Sequence, residues 1–253
     1  MVTFQISLEQ LIELYSSVSI GKLINGLIHN LNSPLHSLGI EMDMIQHLVV
    51  KKGQAEDELL KSISSRLKRV DEEFENLNSL IRLTASRADL TQNFSGYFNL
   101  NHFLEQELQF MKANLYFKHN VQTTLRLAEG LPSFRDLPEN LALGFSWFIQ
   151  GLVEELERQR LTTLSVESVK GETSAGVRFT IEGGEMSEEF MDTLTSDLPS
   201  LKHFVIQDTD MSALLSVFVL RSCGVSIETH AQPNNTKIRL FFERLQRTQG
   251  QNP

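Results

Sequence analysis

The chain has 253 residues, 41% of them apolar, a formal charge of −9 and one cysteine. That length allows two modest domains with buried cores. The acidic balance, with no basic stripe, argues against nucleic acid or an anionic membrane surface as partner, and a lone Cys223 excludes an intrachain disulfide and suits a reducing cytoplasm. No window approaches 18 uninterrupted apolar residues, and the N-terminus lacks a basic leader, so neither a membrane span nor a signal peptide is expected.

Ser7, with Gln10 three residues on, reads as a capping box opening a helix over about 7–51. Its apolar positions Leu27, Leu31, Leu35, Leu38, Met42, Ile45 and Val49 recur in steps of four and three, a coiled-coil-like seam. Pro34 predicts a bend, and Gly53 ends the helix. At about 100° per residue, His29 points away from the seam, on a polar face with Lys22, Asn25, Asn32, Ser33 and His36. A histidine held on a rigid helix and turned to solvent suits nucleophilic attack on phosphorus: one ring nitrogen is free, the other hydrogen-bonded to fix the tautomer.

A second helix is predicted over about 55–88, with the seam Leu60, Ile63, Leu67, Val70, Phe74, Leu77, Ile81 and Thr84 and a charged opposite face. Two long helices with a short loop make an antiparallel hairpin. A hairpin cannot bury both flanks of such a seam, so dimerisation into a four-helix bundle is expected. Residues 89–98 lose the heptad and mark a boundary between a helical domain, 1–90, and a second domain, 97–247. The second domain reads as a helix over about 99–118, a strand at 120–128, a helix at 137–159, and strands in Leu161–Val169 and Ala175–Gly183. A short helix near 187–194, a longer one at 210–223 and a hairpin turning at Pro233-Asn234-Asn235 follow. The fold class is therefore α+β: a helical hairpin followed by an α/β sandwich whose mixed sheet is covered by helices on one face.

His29-Asn30-Leu31-Asn32-Ser33-Pro34-Leu35 resembles the phosphoacceptor box of bacterial sensor histidine kinases, written H-E-x-N-N-P-L. The resemblance implies that His29 accepts phosphate and that the hairpin is the dimerisation and phosphotransfer domain. One departure matters. The acidic residue after the histidine, the family's base for self-phosphorylation, is here Asn30, whose amide can orient His29 but cannot take a proton. Ser33 stands where the family has a polar side chain able to orient a hydrolytic water.

The order of elements after residue 98 resembles the family's ATP-binding domain, but its nucleotide motifs are missing. Trp147 and Gly151 fall where the family has asparagines that hold magnesium and phosphate, and neither can ligate a metal through its side chain. Ile181-Glu182-Gly183-Gly184-Glu185 stands in place of D-x-G-x-G and reads better as a turn. Asp208-Thr209-Asp210-Met211-Ser212-Ala213 replaces the glycine-rich phosphate loop, with like charge and no glycine.

The expectation is a cytoplasmic histidine phosphotransferase of a two-component phosphorelay, built like a degenerate kinase. His29, Asn30 and Ser33 are its site residues. No metal or cofactor is expected on the chain itself: ATP is not expected, and magnesium belongs to the partner receiver domain of a response regulator. An upstream kinase or sensor and a second copy of the chain are the other partners. The alternatives are an ATP-dependent kinase with divergent motifs and a non-catalytic dimeric adaptor.

Overall fold

A computed structural model describes residues 8–50, 56–89, 98–131, 133–134, 138, 140–171, 174–195 and 211–243. Ser7, Gly53, the 90–97 boundary and Asp208-Thr209-Asp210 lie outside these residues. The two heptad sequences form α1 (Leu8–Val50) and α2 (Glu56–Asp89). Pro34 lies inside α1, which runs through it as one helix. The first turn of α2 carries Glu56, Asp57 and Glu58, which complement the positive end of its dipole.

The hairpin splits each seam in two. Leu38 and Val70 are buried, and Leu31, Ile45, Ile63, Leu77 and Thr84 are half-buried between the helices. The alternate seam positions Leu35, Met42 and Val49 on α1 are exposed, as is Ile28 beside them, with Leu60, Leu67, Phe74 and Ile81 on α2. Each exposed set recurs every seventh residue, as a seam bound for a partner does. Glu41 joins the helices, accepting from Arg66 at 2.8 Å and Arg69 at 3.2 Å.

Part of α1, within Gln10–Val50, reaches a mean hydropathy of 1.2 over 18 residues, enough by length and composition to cross a membrane. This departs from the sequence expectation, which looked for an uninterrupted apolar run. Averaging over the window absorbs polar residues such as Glu13, Lys22 and Asn25. In the fold, those polar groups include ones that bond protein partners, as described below.

The predicted helix over 99–118 is two helices. In α3 (Leu100–Met111) Asn99 caps the start, accepting from the His102 N–H at 3.0 Å. The chain then turns at 112–114, and Asn114 caps α4 (Leu115–Asn120) by accepting from the Phe117 N–H at 2.8 Å. An asparagine competes for backbone donors in this way, so a cap interrupts a helix that hydrophobic spacing alone would continue. The break presents the Lys112 carbonyl and Ala113 to α1.

The remaining elements are β1 (Gln122–Arg126), α5 (Leu141–Gln159), β2 (Thr163–Lys170), β3 (Ser174–Glu182), α6 (Glu188–Thr195), α7 (Met211–Ser222), β4 (Ser226–Gln232) and β5 (Asn235–Glu243). The sheet order is β1-β2-β3-β5-β4. β1 and β2 are parallel and the other pairs antiparallel, so the sheet is mixed. Val166, Val177, Phe179, Ile181, Ile238 and Leu240 are fully buried on one face, with Phe145, Phe148 and Leu152 of α5 and Val217 of α7, while Trp147 and Leu215 join Tyr15 in a second cluster. The strands alternate, so the other face carries Thr124, Arg126, Glu167, Arg178, Lys237 and Arg239.

On that open face Arg126 and Arg178 donate to the two oxygens of Glu167 at 2.8 and 3.0 Å. The hydrogen bond from Arg126 first, and then that from Arg178, outweigh partial burial and hold the Glu167 carboxyl below its ordinary value of 4.5. A lowered folded value contributes stability above the unfolded value and loses it as pH falls through the folded one. Thermal melts between about pH 3 and 6 should therefore fall more steeply for wild type than for Glu167→Gln. Parallel curves would remove this ion cluster from the acid response.

Candidate functional site

His29 is exposed on α1, with Ser33 one turn on and His36 two turns on, both exposed. The polar face expected from the wheel is therefore open at the imidazole. The side of α1 next to it is not open, because residues 15–30 dock on the second domain.

Gly26 makes the closest approach: a Cβ added there would fall inside the Ala113 carbonyl oxygen. Only a residue without a side chain allows α1 and the 112–114 turn to meet at this distance. Four residues on, Asn30 is 8% exposed. Its Nδ2 donates to the Lys112 carbonyl at 3.1 Å, and its Oδ1 accepts from Lys118 Nζ at 2.6 Å. Where the sequence pairs Asn30 with the His29 ring, the structure directs both ends of its amide at the second domain. Leu23 and Leu27 complete the contact by entering the main core, among Phe103, Phe110 and Phe148.

Towards the N-terminus of α1 the contact is polar and aromatic. Tyr15 meets Trp147 edge-on, with ring centroids 5.0 Å apart and planes at 86°. The Tyr15 hydroxyl bonds Ser212 at the start of α7. Burial raises the Tyr15 pKa above 10.0, offset in part by the Ser212 bond and the nearby Lys22 charge, so the phenol stays neutral and able to donate. Lys22 Nζ bonds both oxygens of Glu154 at 2.9 and 3.0 Å and Ser212 Oγ at 3.2 Å. Gln150 donates to the Ser19 carbonyl at 3.2 Å. Lys22 shares the His29 face on the wheel, yet its ammonium is committed to α5 and α7.

These contacts fall on the motif positions that depart from the nucleotide-binding pattern. Trp147 is fully buried beneath Tyr15. Gly151 faces α7 so closely that an added Cβ would lie 2.8 Å from the Ala213 backbone nitrogen. Glu182 ends β3, paired with Thr163 and Asn235. Gly183, at φ +92, makes the bend that follows and donates its N–H to the Asn234 carbonyl at 3.1 Å. Among the described residues, no three His, Cys, Asp or Glu side chains come together as a metal site.

Sequence reasoning missed Tyr15, Gly26, Lys118, Glu154 and Ser212. Gly26 left a signal: a glycine inside an apolar helical pattern is costly and points to a close approach. The others left none, since their partners lie 88 to 197 residues away in the chain.

No family model and no curated protein matches the chain. Solved structures do. The Acinetobacter baumannii histidine kinase AdeS is 14% identical, with a TM-score of 0.44, over 86% of this chain and 98% of that one. A bacterial phosphotransferase is 13% identical, with a TM-score of 0.44, over 94% and 98%. The histidine kinase domain of the E. coli osmosensor EnvZ is 14% identical, with a TM-score of 0.44, over 63% and 95%. The structure neighbours of this chain are histidine kinases and a phosphotransferase.

Proposed function

We propose that the chain is a dimeric, cytoplasmic histidine phosphotransferase of a two-component phosphorelay, passing phosphate between response-regulator aspartates through His29 without using ATP. One observation carries the reading: the imidazole in the phosphoacceptor-like box is exposed on a long helix whose adjoining side is clamped to a second domain. Phosphoryl transfer asks mainly for positioning and charge neutralisation, and a clamped helix supplies the first. The absence of a neighbouring base is tolerable because the donor is an acyl phosphate. The neutral imidazole attacks phosphorus through its lone pair, and the aspartyl carboxylate leaves with the electrons of the broken O–P bond. The other ring nitrogen keeps its proton. The receiver domain brings its own magnesium ion.

The reading against ATP rests on what fills the face of α5. Tyr15 covers Trp147 and bonds Ser212, and α7 lies against Gly151. These positions would otherwise have to admit a triphosphate and its metal ion.

The test offers the full chain two phosphate sources. Magnesium and γ-labelled ATP are expected to leave it unlabelled. A receiver domain charged with acetyl phosphate is expected to transfer acid-labile, alkali-stable label that His29→Gln abolishes. Label from ATP that disappears in His29→Gln would replace the relay reading with a kinase. No label from either source, with biological activity intact in His29→Gln, would make the chain an adaptor.

A further inference from the structure

The docked 112–118 segment places a cation on Asn30, the residue next to His29 in the chain. Gly26 and Asn30 lie one turn apart on the line of α1 that meets this segment. His29 sits about 60° round the helix from Gly26 and about 100° from Asn30, on the open side. The ammonium of Lys118 is 2.6 Å from Asn30 Oδ1, and Lys118 is itself exposed. It therefore stands at a solvent-exposed edge of the docked face. Side chains of adjacent helical residues diverge by about 100°, so the flexible lysine stem must rotate to carry the ammonium from Asn30 to the imidazole side. Among the described residues no carboxylate pairs with Lys118. Its partner is a neutral amide, which holds the ammonium in place and leaves its charge uncompensated. Lys22, which shares the His29 face on the wheel, is bound by Glu154.

We propose that Lys118 binds the phosphoryl group carried by His29. The assignment rests on His29 being the phosphoacceptor. It gives the second domain a direct part in the chemistry: α4 supplies a positive charge to the phosphoryl group. It also gives Asn30 a role different from orienting the imidazole, since its amide oxygen parks the ammonium until the dianion arrives. An acidic residue at position 30 would neutralise the lysine.

The test uses the full chain and phosphoramidate, a small donor whose P–N bond breaks with loss of ammonia as His29 is phosphorylated. Labelling in His29→Gln is subtracted to isolate His29 from the other histidines. Lys118→Gln keeps a hydrogen-bond donor for Asn30 but removes the charge, and Lys118→Arg keeps both. At low salt, Lys118→Gln should be labelled about fivefold more slowly than wild type, the scale of one exposed charge contact. Its phosphohistidine should also hydrolyse at a changed rate. Lys118→Arg should restore wild-type behaviour, and the difference between wild type and Lys118→Gln should shrink at high salt. A purely structural role would not produce that salt-dependent ratio. Equal rates for wild type and Lys118→Gln, or an arginine variant as slow as the glutamine one, overturn the assignment. Both outcomes leave the relay itself to the receiver-domain experiment. Failure of the receiver to transfer, with the lysine dependence present, overturns the relay alone.

Discussion

Gly26→Ala is expected to separate α1 from the second domain. In an isolated helix this change is favourable by roughly 1 kcal/mol, because alanine restricts the unfolded chain and suits the helix. Here the methyl group would occupy the place of the Ala113 carbonyl oxygen. Backbone cannot rotate out of the way as a side-chain tip does, so α1 and the 112–114 turn must move apart. That movement breaks both Asn30 hydrogen bonds and draws Leu23 and Leu27 out of the core. Each leucine is worth roughly 1.5–3 kcal/mol when fully buried. A loss of about 3 kcal/mol, partly relaxed, lowers the melting temperature by roughly 6–12 °C for a chain of this size. Amide exchange should rise through 112–118. Gly21→Ala supplies the control, because an added Cβ there meets nothing within 4 Å; it should leave the melt unchanged or raise it. A Gly26→Ala protein as stable as Gly21→Ala would show that the two units are not clamped at this point.

The contrast between those two glycines marks how far the sequence reaches. Heptad spacing and strand alternation carry their information locally, and α1, α2, the mixed sheet and its helix-covered face follow from them. The exposure of His29 follows as well, since it depends only on the angle between that residue and Leu27 or Leu31. The departures have two causes. Asn114 overrides the hydrophobic period by capping, which turns one predicted helix into α3 and α4. The docking of α1 depends on residues far apart in sequence: Asn30 with Lys118, Tyr15 with Ser212 and Lys22 with Glu154. No periodicity encodes such pairs. The role read for Asn30 from its neighbour in sequence therefore gives way to partners that only the tertiary fold brings within reach.

Replacing Leu67 and Phe74 together by glutamate is expected to convert a dimer into a monomer. These residues belong to the exposed stripe Leu60, Leu67, Phe74 and Ile81 on α2, and α1 carries a second exposed stripe, Ile28, Leu35, Met42 and Val49. Both stripes repeat every seventh residue and both are exposed in the single chain. One hairpin thus presents two parallel knob rows, and a second copy related by a two-fold axis offers the same rows in return. A second copy satisfies that geometry with no further partner, because an isologous interface needs only self-complementarity. Each substitution acts twice in the dimer. Four lost apolar contacts at about 1.5 kcal/mol each amount to roughly 6 kcal/mol, a weakening of about 10⁴-fold before charge repulsion is counted. Light scattering of wild type should give twice the 28.8 kDa chain mass, and the double variant should give the chain mass itself. Its helicity should persist, because the hairpin is held by the other seam positions, Leu38 and Val70 among them. A wild type that runs as a monomer, or a double variant that remains a dimer, would sink the assignment. His29 lies about 100° round α1 from Ile28, so pairing through the stripe leaves the imidazole open. Phosphoramidate should therefore label His29 in the monomeric variant as fast as in wild type, which separates assembly from the chemistry of the site.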